Sequence, residues 1–369
     1  MKNGVVQRWI CCLILASSLT CQAFALNTSA ASAILVEQES GRVLYAQAAD
    51  EERLIASTTK IMTALVALEH GDLQAEYTVT AEDMAEGSSM YLKPGDTLRL
   101  EELLYGLMLS SGNDAALAVA HCVSGELADF VALMNDTAQR LGMTHSHFMN
   151  PNGLDAQGHY ASARDMAALA RCALENEDFR RIVSTASITI GQRHLQNHNK
   201  LLNRYAGCIG IKTGFTKAAG RTLVSAAQRE GMTLVCVTLN DGDDWNDHMA
   251  LFDHGFAAYH MVTAVQSGQR LLAVQVRGGT ERQVMLAAAE DLRYPVTGEE
   301  QLTVVARAPA WVAAPVVPGQ EIGRVCAYLD GEEVAQVPLV AAQPAAAVED
   351  EAGAPGLFQR IFGRTMREQ

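Results

Sequence analysis

The sequence predicts an α+β protein, in which an antiparallel sheet flanked by helices precedes a small all-β domain. Three observations support this prediction. The chain has 369 residues, which is long enough for more than one domain. In its first two thirds, strand patterns enclose a long helical insertion. From about Thr263 the pattern changes to short strands separated by turns.

The first predicted domain, residues 26–262, begins with a hairpin. Ala33–Val36 and Arg42–Tyr45 are apolar stretches on either side of the turn Glu39-Ser40-Gly41. Further strands of the same antiparallel sheet are expected later in the domain, at Ile209–Thr213, Thr222–Ala226 and Thr233–Leu239.

Helices are expected between the hairpin and these later strands. The apolar runs Ile61–Leu68 and Leu103–Leu109 predict buried helices. They belong to a helical insertion that reaches to about Ile190, and a helix over Met249–His260 closes the domain. A site at the junction of sheet and insertion is the expected arrangement.

The second predicted domain, residues 263–342, is all-β and has no obvious catalytic cluster, so we expect it to space or orient the first domain. Its strands are predicted at Gln269–Val276, Gln283–Leu286, Gln301–Val305 and Val325–Leu329. Residues 343–356 are rich in Ala, Pro, Gly and acidic side chains, which is typical of a linker.

The two ends of the chain have the composition of targeting segments. Residues 1–25 contain basic side chains, the apolar stretch Trp9–Leu15 and the small-x-small sequence Ala23-Phe24-Ala25. This pattern predicts a signal peptide and a mature start near Leu26. Residues 357–369 place apolar side chains on one helical face beside basic ones, which indicates an amphipathic membrane anchor. A frayed tail is the alternative.

The first chemical motif is Ser57-Thr58-Thr59-Lys60. Residues three apart share one helical face, so the Lys60 amine can reach the Ser57 hydroxyl. An ammonium cannot accept a proton. Lys60 must therefore be kept partly neutral by burial or by nearby positive charge, for which Lys212 is the candidate. Ser57 would then be a nucleophile with Lys60 as its general base, at a helix N-terminus whose N–H groups face the developing oxyanion.

Two further motifs complete the constellation. Ser111-Gly112-Asn113 follows a buried helix, so Ser111 is a candidate proton relay to a leaving amine and the Asn113 amide a candidate ligand for a substrate carbonyl.

Lys212-Thr213-Gly214 is predicted to lie at the edge of a strand. There Gly214 would let substrate backbone approach, and Thr213 and Lys212 would bind a carboxylate. Each motif alone is also an ordinary helix cap, turn or strand end. Together they favour serine-based acyl transfer.

The chain resembles the serine-type D-Ala-D-Ala carboxypeptidases, the low-molecular-mass penicillin-binding proteins of peptidase family S11. Beyond the three motifs, the likeness extends to Asn150-Pro151-Asn152-Gly153-Leu154, residues 159–166, residues 210–216 and Ala219-Gly220-Arg221. It implies a first domain of β-lactamase/transpeptidase-like fold. It also implies site roles: Ser57 as the acylated serine, Lys60 as its base, Ser111 and Asn113 as the second catalytic element, Lys212, Thr213 and Gly214 as the substrate-binding strand, and the backbone N–H groups of Ser57 and Phe215 as the oxyanion hole.

The function that the resemblance implies is removal of the terminal D-Ala from peptidoglycan stem peptides through a Ser57 acyl-enzyme. β-Lactams would acylate the same serine as covalent inhibitors, and no metal or organic cofactor is needed. The expected location is the extracytoplasmic face of the cell membrane or the cell wall space. A D,D-endopeptidase acting on cross-links and a non-catalytic penicillin-binding sensor stay as alternatives. A β-lactamase is a third, although residues 152–165 contain no clear E-x-x-L-N pattern for deacylation.

The group that binds the substrate's terminal carboxylate, beyond Thr213 and Lys212, stays open. Some relatives place an arginine after the last sheet strand, where this chain has the acidic stretch Asp241–His248. Arg221 and His248 are the other candidates. A structural arginine and a surface histidine are their ordinary interpretations.

Composition excludes several other classes. The net charge of −14 argues against nucleic acid as a partner, and removal of residues 1–25 makes the chain more acidic still. The odd number of cysteines after residue 25, in apolar surroundings, favours buried thiols over disulfides. The histidine pairs His145/His147 and His194/His198 lack an H-E-x-x-H or cysteine-pair pattern, so no metal site is predicted.

Overall fold

The computed structural model describes residues 27–348 and the backbone of strand β1, Val5–Ile10. The chain divides into two compact units with a boundary between Met261 and Val262, except that Pro295–Gly298 groups with the first unit and β1 with the second. The predicted linker beyond residue 348 and the predicted anchor at 357–369 lie outside the described residues.

The first unit is built on an antiparallel sheet of five strands. The strands after β1 are β2 Ser32–Glu37, β3 Val43–Gln47, β4 Glu76–Thr78, β5 Thr97–Arg99, β6 Ser187–Ile190, β7 Arg193–Gln196, β8 Cys208–Thr216, β9 Gly220–Arg229 and β10 Met232–Leu239. The large sheet has the order β3-β2-β10-β9-β8, and β4-β5 and β6-β7 are separate hairpins. All of the predicted strands of this domain belong to the large sheet. β8, which carries Lys212-Thr213-Gly214, lies at its edge.

The centre of this sheet is buried on both faces, because helices cover each side. Every residue of β10 is buried. Successive side chains of a strand point to opposite faces. Val235 and Val237 therefore pack into one apolar cluster with the helical insertion, while Leu234 and Cys236 pack into a second cluster with the closing helix. Such double burial explains why residues 234–237 in the middle of β10 form a continuous apolar run.

Eight helices surround the sheet in the described residues: α1 Lys60–His70, α2 Leu100–Leu109, α3 Asn113–Ser124, α4 Leu127–Arg140, α5 Ala163–Ala173, α6 Glu177–Ser184, α7 Leu201–Arg204 and α8 Asp244–Ala258. No single described helix has the length and apolarity to cross a membrane, although α3 and α4 together, bent by 89°, meet the length and composition test.

The closing helix differs from its prediction at both ends. The sequence predicts it over Met249–His260, but it begins at Asp244. The Asp243 carbonyl accepts the N–H groups of Asn246 and Asp247, which starts the helix there, and acidic side chains in a first turn suit the helix dipole. The far end is extended at Tyr259, and His260 already belongs to the next strand.

The second unit is all-β, as predicted. Its strands follow as β11 His260–Val265, β12 Arg270–Arg277, β13 Gln283–Ala288, β14 Leu292–Val296, β15 Thr303–Pro309, β16 Trp311–Ala313, β17 Glu321–Leu329 and β18 Glu332–Ala341. A seven-stranded sheet has the order β1-β15-β17-β18-β13-β12-β16, and β11 pairs with β14.

Two predicted terminal segments contribute backbone to the second unit. β1 pairs antiparallel with β15, although it belongs to the predicted signal peptide, whose removal stays a prediction. Ala345 is buried and forms a bridge with Val316, and Ala347 forms one with Gly279. The start of the predicted linker therefore lies against this unit instead of leaving it at residue 343.

A buried histidine joins α8 to the large sheet. His248 is fully buried, where Nδ1 contacts Ser225 Oγ and Nε2 lies 3.0 Å from Thr238 Oγ1. Burial lowers the pKa of His248 to about 3. The imidazole is therefore neutral in the folded protein at pH values where a histidine of the unfolded chain is already protonated.

We predict that His248 makes stability depend on pH. Between pH 6.5 and about 3 the unfolded chain binds a proton at this residue and the folded chain does not, so stability falls as pH falls. Relative to His248→Gln, the wild-type free energy of unfolding should drop by about 2 kcal/mol between pH 7 and pH 5. Urea denaturation at the two pH values measures this.

The matched control is His254→Gln, which changes a partly exposed histidine on the same helix. Parallel pH dependence of the wild type and His248→Gln would contradict the prediction.

Candidate active site

Ser57 lies at the entrance of the central helix. It belongs to a short 3-10 turn, Ala56–Thr59, that leads directly into α1. Every residue of α1 from Lys60 to Ala67 is buried, and a helix that is apolar on all sides belongs in a core. The sequence that makes α1 a core helix therefore also carries the Lys60 side chain, which is 0% exposed, into the interior.

The Lys60 amine has three hydrogen-bond partners, all uncharged. Nζ lies 3.0 Å from Ser57 Oγ and 2.7 Å from Asn113 Oδ1, and it also contacts the Asn152 carbonyl oxygen. The last two are oxygen atoms that only accept. A neutral amine donates its two N–H groups to them, and its lone pair then faces the Ser57 hydroxyl. The geometry thus fits a base that takes the Ser57 proton.

Burial shifts the protonation equilibrium of this amine toward the neutral form. The pKa of Lys60 lies well below its usual value, chiefly because burial removes water from the charged form and secondly because Lys212 is nearby. Lys212 is itself buried, and burial lowers its pKa to about 7. The predicted influence of Lys212 on Lys60 therefore has a structural basis, although it is the smaller of the two effects.

The loop at residues 149–154, which supplies the Asn152 carbonyl, is held against the start of α1 by His159 and by a close backbone approach at Gly153. His159 Nδ1 accepts the Met149 N–H at 3.0 Å, so Nε2 carries the proton donated to Thr59 Oγ1 at 2.8 Å. Burial lowers the pKa of His159 to about 4, which keeps it neutral. At Gly153, with φ of +81°, an added Cβ would lie 2.0 Å from the Ala56 carbonyl oxygen. Only glycine allows this approach.

The second motif lies between α2 and α3. Ser111 has a φ of +59°, which is rare for a residue with a side chain and is typical of functional positions. Asn113 begins α3, where Oδ1 accepts from Lys60 and Nδ2 donates to the Glu86 carbonyl at 2.6 Å. Oδ1 of Asn113 thus holds Lys60, while Nδ2 has two N–H groups and donates only one to Glu86, so the predicted contact with a substrate carbonyl keeps a donor.

The third motif brings the edge strand against Ser57. Gly214 pairs with Thr222 in β9. A Cβ on Gly214 would lie 2.4 Å from Thr222 Oγ1 and 2.9 Å from the Ser57 nitrogen. The missing side chain therefore brings β8 next to the nucleophile. The structure thus requires glycine at position 214 so that β8 can pack against Ser57. The sequence pattern suggests a different reason, which is access for the substrate backbone.

A cleft of about 420 Å³ opens over these three motifs. Five of the predicted residues line it: Ser57, Ser111, Thr213, Gly214 and Phe215. The other three, Lys60, Asn113 and Lys212, are buried. Sequence reasoning did not assign a role to four further lining residues, Ser88, His198, Asp244 and Trp245, which come from other segments of the chain. It also gave no role to the Asn152 carbonyl, because a backbone oxygen leaves no signal in residue type.

The two candidate carboxylate ligands have different positions. His248 is not at the cleft and not on the surface, because it is fully buried between α8 and the sheet. Arg221 lines the cleft, and its Nη2 lies 2.7 Å from Asp244 Oδ1. No cluster of three metal-ligating side chains occurs in the described part of the chain, and the five cysteines there are free thiols.

Comparisons with known proteins show which proteins the chain is similar to. The family model described as D-alanyl-D-alanine carboxypeptidase matches residues 19–243, and that of the penicillin-binding protein 5 C-terminal domain matches residues 259–346. D-alanyl-D-alanine carboxypeptidase DacF of Bacillus subtilis is 32% identical over 86% of this chain and 86% of its own. DacC of Escherichia coli is 32% identical over 90% of this chain and 86% of its own.

A solved structure has the same architecture. Penicillin-binding protein 5 from Haemophilus influenzae superposes with a TM-score of 0.76 and 26% identity over 88% of this chain and 100% of that protein. The likeness therefore extends over both units.

The contact between β8 and Ser57 generates a prediction. Gly214→Ala should lower the free energy of unfolding by about 1–3 kcal/mol, because the new Cβ overpacks Thr222 and the Ser57 backbone. Thermal unfolding measures this. Gly242→Ala is the control, since its Cβ would meet only Ser29 Oγ at 3.8 Å, an ordinary contact. Equal unfolding temperatures for the two variants would show that β8 does not need glycine here.

Proposed function

The chain belongs to the D-alanyl-D-alanine carboxypeptidase family, and from this membership we propose that Ser57 is its acylated nucleophile and Lys60 the base. The protein is a serine-type D-Ala-D-Ala carboxypeptidase that removes terminal D-Ala from peptidoglycan stem peptides and binds β-lactams. The single observation that supports the residue assignment is the buried Lys60 amine, whose Nζ lies 3.0 Å from Ser57 Oγ.

Acylation begins with transfer of the Ser57 hydroxyl proton to Lys60 Nζ. Ser57 Oγ forms a bond to the carbonyl carbon of the penultimate D-Ala, and the carbonyl oxygen becomes an oxyanion. The backbone N–H groups of Ser57 and Phe215 are proposed as its donors. The closeness of Gly214 to the Ser57 nitrogen, and the position of Phe215 on the cleft wall, support this.

Collapse of this intermediate breaks the peptide bond and releases D-Ala. The leaving nitrogen must gain a proton, and Ser111, on the cleft wall, is proposed to relay it from Lys60. Lys212, Thr213 and Gly214 align the substrate along β8, and Asn113 keeps Lys60 in place. Water, activated by the neutral Lys60, then hydrolyses the Ser57 ester. No step requires a metal or an organic cofactor.

The location and the segment boundaries are proposals of the same kind. Carboxypeptidases of this family act on peptidoglycan in the periplasm or the cell wall space. We propose export through residues 1–25 and peripheral contact with the membrane through residues 357–369. The composition of the two segments supports this proposal.

The function is tested with purified protein that lacks residues 1–25 and a stem pentapeptide ending in D-Ala-D-Ala. We expect D-Ala release that is blocked by penicillin and lost in Ser57→Ala, since no other group forms the acyl-enzyme. Chromatographic D-Ala quantification measures it. Ser184→Ala, an exposed serine, should keep wild-type activity. Penicillin labelling without release would indicate the sensor, and cleavage of cross-links alone would indicate the endopeptidase.

A second prediction concerns pH. Acylation needs neutral Lys60, so its rate falls as pH drops through the Lys60 pKa. The Lys212 charge lowers that pKa, so Lys212→Gln should shift the midpoint of the acidic limb to higher pH, whatever happens to the maximal rate. The measurement is the second-order rate constant of β-lactam acylation from pH 5 to pH 10. Lys217→Gln, an exposed lysine, is the control. A midpoint that is unchanged or lower in Lys212→Gln would contradict the coupling.

A further inference from the structure

We propose that Arg221 is the specificity-determining residue that binds the free terminal carboxylate of the substrate, and that Asp244 is its positioning residue. This inference deepens the proposed function and rests on it. The reaction removes a residue that carries a free carboxylate, so a site selective for chain ends needs a cation at the leaving-group end of the cleft. Arg221 lies on the wall of the same cleft as Ser57.

The sheet register places Arg221 beside Thr213. Arg221 in β9 is directly opposite Phe215 in β8, and opposed residues of an antiparallel pair point to the same face. Thr213 lies two residues from Phe215 and therefore shares that face. Diagonal neighbours of this kind are about 7–8 Å apart at the backbone, within reach of a long side chain. Thr213 and Arg221 can thus bind one carboxylate together.

The other two cationic candidates at the cleft are less suited to this contact. Lys212 is 1% exposed, and its Nζ donates to the Thr213 carbonyl at 3.0 Å. Burial and the nearby Lys212 charge lower the pKa of His198, which favours a neutral imidazole. The Arg221 side chain is 44% exposed, and a guanidinium stays protonated at every physiological pH.

Asp244 and Trp245 fix the direction of the guanidinium. The Asp244 carboxylate is 4% exposed, and its Oδ1 accepts both Arg221 Nη2 at 2.7 Å and the Trp245 N–H at 3.0 Å. The Arg221 guanidinium carbon lies 6.0 Å from the centre of the Trp245 ring. A guanidinium has five N–H donors, and the Asp244 contact uses only one of its nitrogens. The remaining donors can form the bidentate contact that a carboxylate prefers.

This arrangement also explains the acidic stretch at Asp241–His248. After the last strand of the sheet the chain has Asp244, and the cation comes from the neighbouring strand β9. Asp244 lies at the N-terminus of α8, so a rigid helix carries the group that orients Arg221.

The test compares two substrates: diacetyl-L-Lys-D-Ala-D-Ala and the same peptide with a C-terminal amide. Arg221→Gln should lower kcat/KM for the free acid by about 10- to 100-fold, as expected for loss of a hydrogen bond to a charged group. For the amide it should change by less than about twofold. Arg221→Lys should retain part of the preference for the acid, and Asp244→Asn should reduce it. Arg164→Gln is the control, since Arg164 is also 44% exposed and ion-paired, to Asp50 at 2.6 Å.

The outcomes distinguish the carboxylate role of Arg221 from the proposed function of the protein. Equal losses for acid and amide in Arg221→Gln, or no loss for either, would overturn the carboxylate role and leave a structural arginine. If the wild type released neither D-Ala nor D-alaninamide, the proposed function itself would be wrong. An unfolding temperature equal to that of the wild type would show that Arg221→Gln is folded.

Discussion

The site depends on a lysine amine that is buried with uncharged partners. Lys60 is 0% exposed, and its hydrogen-bond partners are the Ser57 hydroxyl and the two carbonyl-type oxygens of Asn113 and Asn152. A charged ammonium is costly in such surroundings. The two oxygens take the N–H groups of the neutral form, and the lone pair is left for Ser57. Burial thus lowers the pKa of the base, and the two oxygens set the direction of its lone pair.

The rest of the first unit maintains this burial. α1 is buried from Lys60 to Ala67. His159 and the close approach at Gly153 hold the loop that carries Asn152 against the start of α1. β8 packs against Ser57 through Gly214. Each of these contacts involves a different segment of the chain. The base is therefore a product of the whole fold, and local changes at either glycine reach it through packing.

Much of this could be predicted from the sequence. The strands of the large sheet, the all-β second unit and the spacing of Ser57 and Lys60 followed from local patterns, because apolar runs and the helical repeat are properties of neighbouring residues. The start of α8 was missed, since Asp244 gives an acidic first turn and no apolar periodicity. The burial of His248, the Asn152 carbonyl and the pairing of Arg221 with Asp244 depend on contacts between distant segments, which no local pattern contains.

An NMR titration of the wild-type protein with lysine labelled at Cε measures the protonation state of Lys60 directly. We expect one resonance, assigned to Lys60 by its loss in Lys60→Arg, to titrate well below the usual lysine value of about 10.4. A Lys60 resonance that titrates at or above that value would show a charged amine at neutral pH. That result would contradict its role as the base for Ser57.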